Sequence, residues 1–384
     1  MRMLVLGAGL QGSACAYDLL QQPEVTAVRL ADLRVDNLPA FLAAHSGSPR
    51  LETRAIDVRD EAAVVEAMRG CQAVCCALPY YFNGTMADLA VRLGLHHCDL
   101  GGNTEIVQQQ KQLHGAAQAA GVSVVPDCGL APGMVNILAQ HGIDRFDTVD
   151  AVRLYVGGLP QRPQPPLNYQ IVYSLEGVLD YYTTLSWVLR EGRLTQVTAL
   201  SELEHVRFPD PVGELEAFHT AGGLSTMAFR YEGKIRTMEY KTLRYPGHAK
   251  IVEAIRDLGF LDLTPIAVKG TTVVPRDVAI AVMDPQLRKP QAESPDMVVL
   301  QVTVDGAAKG TPGRAAWQVV DRCDEEHGVT AMMRTTGYSL AITSLMQCRK
   351  DVPSGVWTPD ECMPAVPYMA ELGKRGIEIT ELTP

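Results

Sequence analysis

The sequence predicts a two-domain α/β protein. A doubly wound parallel sheet with a dinucleotide turn comes first, followed by an α+β domain with a mixed or antiparallel sheet. Three observations predict this. The segment Gly7-Ala8-Gly9-Leu10-Gln11-Gly12 stands between an apolar run and a helical pattern. Apolar runs and helical patterns then alternate as far as about residue 128. Beyond that point, shorter alternating segments and proline-rich turns such as Gln161–Pro166 break the rhythm.

The elements follow in order. Met3–Leu6 is a short apolar run ending in glycine, which is the pattern of a buried parallel strand. Gly12–Gln21 carries Ala14, Ala16, Leu19 and Leu20 on one face of a helix, and Ala27–Leu30 leads to Asp32. Strands are expected at Glu52–Asp57, Ala73–Leu78, His97–Leu100 and Val122–Pro126. Helices are expected at Asn37–His45, Glu61–Arg69, Asn83–Leu93 and Glu105–Ala119. In the second domain, strands are expected at Val149–Val156, Glu204–Phe208, Met227–Tyr231, Arg236–Leu243, Ile266–Val268, Val298–Val304 and Ala316–Val320. Helices are expected at Met134–His141, from Gly177 onward, and at Ala249–Leu258, Pro275–Val282, Thr335–Cys348 and Tyr368–Lys374. By analogy with two-domain dehydrogenases, the C-terminal helix should pack back on the nucleotide domain. That domain is then 1–128 with 335–384, and the substrate and oligomerisation domain is 129–334.

Composition narrows the function classes. Apolar residues make up 47% and charged residues 20%, as in ordinary globular proteins, and the net charge of -10 disfavours nucleic acid and anionic membranes as partners. No apolar run reaches the roughly 18 residues of a membrane span. The N-terminal apolar run is too short for a signal peptide, so a cytoplasmic protein is expected. The nine cysteines include no C-x-x-C pair and sit mostly in apolar segments, so they predict reduced thiols and no metal site.

In Gly7-x-Gly9-x-x-Gly12, Gly7 permits the tight turn, Gly9 lets a pyrophosphate approach the backbone, and Gly12 lets the helix pack on the strand. The helix N-terminus then presents N–H groups to phosphate. Asp32, twenty residues after Gly12, is placed to accept from the adenine-ribose hydroxyls. Its charge repels a 2′-phosphate and so favours NAD, although Arg34 nearby could host that phosphate. Asp57 is either an adenine contact or a helix N-cap. Ala77-Leu78-Pro79 ends the fourth strand at the carboxyl edge, where it would line the cofactor cleft.

Several blocks carry a family resemblance: Gly7–Gly12, Ala77-Leu78-Pro79-Tyr80, Gly129-Leu130-Ala131-Pro132-Gly133-Met134, Gly157-Gly158-Leu159-Pro160, and above all Lys241-Thr242-Leu243-Arg244-Tyr245-Pro246-Gly247-His248. The chain resembles the saccharopine dehydrogenase/reductase family. With Ser174-Leu175-Glu176-Gly177 and Glu216–Gly223, it is most similar to the lysine 6-dehydrogenase branch. The resemblance implies NAD-dependent oxidative deamination of the L-lysine ε-amine to 2-aminoadipate 6-semialdehyde and ammonia. The semialdehyde then closes to piperideine-6-carboxylate. The resemblance and the large sheet also imply a homodimer or higher homo-oligomer.

That chemistry needs a base, a carboxylate anchor and an ordered amine. Arg244 can anchor an α-carboxylate through a bidentate fork, or it can pair with an acid such as Glu239. Thr242 and Tyr245 flank it as substrate contacts. His248 can contact substrate or shuttle protons, or it can simply begin a helix. Tyr80 can touch nicotinamide or substrate, or pack with Tyr81 between the domains. Asp99, at a strand end, is the candidate general base or a loop-capping acid. Gly222 and Gly223, with Ser225 and Thr226, can offer backbone groups to the substrate or make a hairpin turn. Glu176 fits helix capping better than ammonium binding, and Cys128 fits packing. A saccharopine-type enzyme would need cations for additional carboxylates, and Arg153, Arg162, Arg190 and Arg230 are available. A regulator that binds NAD without turnover is the non-enzyme alternative.

Overall fold

The computed structural model describes residues 1–290 and 293–383. The expected domain spans 129–334 and 335–384 include positions 291–292 and 384, which lie outside the described residues.

The first sheet has seven parallel strands. Their order is Gly355–Val356, Ser123–Val125, His96–Asp99, Ala73–Cys76, Arg2–Leu6, Ala27–Asp32 and Leu51–Ala55. The central strands are buried on both faces, and this explains why they read as unbroken apolar runs. Strand order reverses between Arg2–Leu6 and Ala73–Cys76, so a crevice opens at their carboxyl ends, where Gly7 and Ala77 face each other. The expected helix Glu105–Ala119 is two helices, Thr104–Lys111 and His114–Ala120. Tight i→i+3 bonds from Gln112 and Leu113 break it.

The second sheet has nine strands. Glu204–Arg207, Glu214–His219, Thr237–Arg244, Thr148–Pro160, Asp296–Ala308, Thr311–Arg322 and Thr380–Leu382 lie side by side, and the hairpin Ser186–Arg190/Arg193–Val197 joins through Thr237–Arg244. Only Thr237–Arg244 against Thr148–Pro160 is parallel among these pairs, so the sheet is mixed. The Thr148–Pro160 strand runs on through Gly157 and Gly158, beyond the expected end at Val156. A Cβ on Gly157 would stand 2.8 Å from the Leu243 carbonyl, and one on Gly158 2.6 Å from Met332. These glycines serve close approach inside a strand and do not end it.

Met227–Arg230, expected as a strand, is a short helix. It follows Gly222–Gly223 and Ser225, whose φ of 51° turns the chain. A short apolar run alone does not distinguish a strand from a buried helical turn.

The long helix Ala331–Arg349 returns to the first sheet. A Cβ on Gly337 would stand 2.7 Å from the Gln11 carbonyl, so glycine permits its close crossing with Leu10–Gln21. Gln347 donates to the His97 and Ser123 carbonyls at 2.9 and 3.0 Å. The last strand, Thr380–Leu382, belongs to the second sheet.

Candidate functional site

The cofactor side of the cleft is built from the glycine turn. Gly7 has φ of 98°, and a Cβ there would meet the Ala77 carbonyl at 2.7 Å. A Cβ on Gly12 would stand 1.8 Å from the Gly7 carbonyl, whereas Gly9 has open space above it. Helix Leu10–Gln21 starts at Gly9 with no side-chain cap, which leaves its N-terminal N–H groups for an anion. Both polar atoms of the Gln11 amide are buried without a hydrogen-bond partner. An open space, uncapped donors and an orphaned amide together fit a dinucleotide pyrophosphate at this turn.

Asp32 Oδ2 accepts from Ala8 N at 2.7 Å and Oδ1 from Arg34 N at 3.1 Å. The carboxylate therefore ties the turn to the end of the second strand and keeps further lone pairs for ribose hydroxyls. Ala77 is held by its N–H to Leu6 O at 2.8 Å, with Leu78 and Pro79 following it along the crevice. Asp57 is not the helix N-cap. Arg59 holds both its oxygens, which lowers its pKa to about 2, and Asp60 caps the helix by accepting from Ala62 and Ala63.

Tyr80 is 41% exposed at the mouth of the cleft, edge-on to Tyr81 at 5.7 Å and beside Gly102. Asp99 is fully buried. Its Oδ1 accepts from Gly101 N at 2.8 Å and Oδ2 from Gln110 Nε2 at 2.7 Å. Burial raises its pKa to about 6, yet both oxygens are engaged by protein donors, so the geometry fits the loop-capping role and not the base. Cys128 donates its thiol to the Val125 carbonyl at 3.0 Å and is buried, a packing role.

Asp127, which the sequence reading missed, is the acid that faces the other domain. It has φ of 63°, is 2% exposed, and accepts from the Ser225 hydroxyl. Its Oδ1 has no hydrogen-bond partner and packs against Gly101. Burial pushes its pKa up to about 7 despite the Ser225 hydrogen bond. The signal was present, since Asp127 lies two residues past the parallel strand Ser123–Val125, at the same sheet edge as Asp99.

The substrate side comes from the second sheet. Arg244 ends the strand Thr237–Arg244 and is 4% exposed. It donates to Tyr182 Oη and to the Leu243 carbonyl, and its guanidinium lies 4.8 Å from the Tyr169 ring centre. No carboxylate among the described residues pairs with it. Glu239 pairs instead with Arg190 and Arg153, at 2.7 and 3.3 Å. Thr242 points to the same face and shares a hydrogen bond of 2.7 Å with Thr220.

Tyr245 lies apart from this pocket. It packs in the apolar cluster of Leu243, Phe208 and Leu215 and donates to the Pro160 carbonyl at 3.1 Å. His248 does begin a helix, but fully inside: it contacts the Leu167 carbonyl and Tyr182 Oη, and burial together with Arg244 pushes its pKa down to about 3. A neutral, enclosed imidazole does not suit proton shuttling. Glu176 is exposed in the first turn of helix Leu175–Thr183, which Ser174 caps.

The loop around Gly222 and Gly223 closes the cleft. A Cβ on Gly222 would stand 3.4 Å from the Tyr181 ring, and one on Gly223 2.3 Å from the Tyr240 ring. Asn136 fixes this loop, donating to the Gly223 and Leu224 carbonyls at 3.2 and 3.3 Å. Adjacent residues of one helix serve both sides: Tyr181 lies against Gly102 and Gly222, and Tyr182 against Arg244 and His248. Elsewhere, Glu202, His219 and Glu239 converge as metal ligands could. Arg190 Nη2 already sits among them at 2.6, 3.1 and 2.7 Å, so the protein supplies that cation itself.

Comparison with known proteins agrees with this architecture. The family model for the saccharopine dehydrogenase NADP binding domain matches residues 3–125, and that for the saccharopine dehydrogenase C-terminal domain matches 129–377. A saccharopine dehydrogenase [NADP(+), L-glutamate-forming] of Schizosaccharomyces pombe is 24% identical over 271 residues, 68% of this chain and 58% of that protein. The chain thus spans less than two thirds of that relative's length. Carboxyaminopropylagmatine dehydrogenase of Synechocystis is 22% identical over 410 residues, covering 98% of this chain and 96% of its own. Among solved structures, apo saccharopine dehydrogenase (L-Glu forming) of Saccharomyces cerevisiae has a TM-score of 0.81 at 22% identity, with both chains fully covered. Homospermidine synthase of Legionella pneumophila, solved with NAD, has a TM-score of 0.71 at 9% identity, covering 100% of this chain and 91% of that one. With both halves matched by its domains, the chain belongs to the saccharopine dehydrogenase family.

Proposed function

We propose that the chain is an NAD-dependent dehydrogenase that oxidises a carbon–nitrogen bond in a substrate with a single carboxylate head, with L-lysine as that substrate. Hydride loss from the ε-carbon to NAD would leave an imine, and a water would hydrolyse it to 2-aminoadipate 6-semialdehyde with release of ammonia. The observation that carries this reading is Arg244, a buried guanidinium with no carboxylate partner among the described residues. Such a cation is costly to bury unless an anion arrives to pair with it. The arginines available for further carboxylates are otherwise engaged: Arg153 with Asp305 at 2.9 Å, Arg190 with Glu202 at 2.6 Å, and Arg230 with Asp360 at 2.8 Å. Arg162 is exposed.

A bound nicotinamide supplies the hydride acceptor. Arg244 holds the carboxylate and fixes the distance from head to amine. Asp127, poised near neutral pH, takes a proton from the amine, and Ser225 keeps its carboxylate in place. The Gly222–Ser225 loop and Tyr181 line the cleft, which must admit the water that hydrolyses the imine after hydride transfer.

NAD is preferred over NADP in this reading because Asp32 is the acid at the ribose position. Asp32→Ala should weaken NAD binding at least ~10-fold, as expected for loss of a charge-assisted hydrogen bond and its support of the turn. Titration of intrinsic fluorescence checks this, and an unchanged NAD affinity would count against the ribose assignment. A cytoplasmic homo-oligomer assembled through the second domain belongs to the same proposal, as does the division 1–128 with 335–384 against 129–334, corrected at the last strand, Thr380–Leu382, which pairs in the second sheet.

A second reading is a saccharopine-type enzyme acting on a secondary amine. The names of the relatives above favour it. A panel of lysine and saccharopine, each with NAD and NADP and followed by the reduced cofactor, separates the readings. Tight NAD binding without turnover of any amine would leave the regulator.

A further inference from the structure

A guanidinium has five N–H donors. In Arg244, Nε donates to Tyr182 Oη at 3.2 Å and Nη1 donates to the Leu243 carbonyl at 2.8 Å. Tyr182 Oη is also 2.9 Å from His248 Nε2, and His248 Nδ1 is 3.0 Å from the Leu167 carbonyl. A carbonyl only accepts, so Nδ1 carries the imidazole proton and Nε2 is the acceptor. Tyr182 must therefore donate to His248, and its lone pairs receive the Arg244 Nε–H. Every bond in this relay has one direction. Phe218 stacks on the imidazole at 6.3 Å with 5° between planes, and Tyr169 packs against the guanidinium. Leu167, Tyr182, Phe218, Arg244 and His248 are all buried.

We propose that Tyr182 and His248 are positioning residues that dictate how Arg244 grips a carboxylate; this rests on the anchoring role given to Arg244 above. A guanidinium can take a carboxylate side-on, through Nε and one terminal nitrogen, or end-on, through Nη1 and Nη2. Tyr182 removes Nε from the choice. The donors left are one N–H on Nη1 and two on Nη2, which is the end-on fork. A second carboxylate at the side of the guanidinium finds a single Nη2 N–H there and no fork, because Tyr182 holds Nε. The relay thus selects a single carboxylate and sets its angle, with neither Tyr182 nor His248 touching the ligand. His248 acts as a hydrogen-bond acceptor, not as an acid or base.

The test uses the full chain loaded with NAD. The probe is 6-aminohexanoate, which has one carboxylate and a terminal amine, with binding read by calorimetry. Tyr182→Phe and His248→Ala should each weaken the probe about 10-fold, the loss expected when a hydrogen bond to a charged group is removed. His248→Gln, which keeps an acceptor, should recover most of that loss. Lysine KM should rise by a similar factor, while NAD affinity and kcat stay within about twofold of wild type, because only the head-group grip is altered. The inference is overturned if wild type does not bind the probe, or if both weakening variants bind it as well as wild type. It is also overturned if NAD affinity and kcat fall in step with KM, the pattern of general damage. The probe affinities decide the matter whether or not any amine is oxidised. Intact probe binding without amine turnover counts against the proposed activity alone.

Discussion

An Arg244→Lys enzyme is expected to bind NAD as wild type does and to show a KM for lysine raised about 100-fold, the cost of breaking a desolvated charge pair of good geometry. Lysine keeps the positive charge but not the planar fork, and its shorter reach leaves the Tyr182 oxygen without its donor. Because the residue is 4% exposed, water does not readily fill in for the lost contacts. Initial rates over a range of lysine concentrations check this. A KM within about threefold of wild type would show that the carboxylate binds elsewhere, since a rim contact is worth about that little.

The second large effect belongs to Asp127. Asp127→Asn should lower kcat by about 100-fold or more, the usual contribution of a positioned general base. It should also remove a pH limb. In wild type, kcat/KM should rise with pH through a midpoint near the Asp127 value of about 7, because the ionised carboxylate is the active form. The variant should have no limb of that origin, and an unchanged profile would assign the base elsewhere.

The same group makes a stability prediction. Its folded pKa is raised from an unfolded value of about 3.9. The folded state therefore binds the proton more tightly, and this contribution is fully present below about pH 4. It is lost as pH rises to the folded value of about 7. At pH 8, wild type bears the full cost of charging a buried acid, on the order of 2–4 kcal/mol. Asp127→Asn cannot ionise, so its thermal midpoint should fall less than that of wild type between pH 5 and pH 8. Calorimetric scans at both values check it, and an equal fall in both proteins contradicts the assignment. A variant that gains alkaline stability while losing turnover is what a strained catalytic acid predicts.

The cofactor half was legible because its signals are local. Gly7, Gly9, Gly12 and Asp32 lie within one strand–helix–strand unit, and the strands are buried on both faces. The second domain was harder. Gly157 and Gly158 read as the end of a strand, but they exist for the neighbours Leu243 and Met332, which lie far along the chain. Met227–Arg230 read as a strand because four residues carry no period to decide the matter.

The substrate half shows the same limit. Arg244 could be picked out by its chemistry, but not its freedom from Glu239, because two other arginines take that acid. Tyr182 went unnoticed since its partners are 62 and 66 residues away. Asp99 and Asp127 carry one signal, an acid at or just past the end of a parallel strand. The loop N–H of Gly101 and the helix side chain of Gln110 occupy Asp99, while Asp127 faces Ser225.

The most direct measurement of the central claim is the ratio of kcat/KM for L-lysine to that for saccharopine, with NAD and the full chain, followed by absorbance of the reduced cofactor. A head-group site built on one unpaired arginine predicts turnover with lysine and a ratio above about 100, since each unmatched buried carboxylate costs several kcal/mol. Turnover with saccharopine and none with lysine would contradict it.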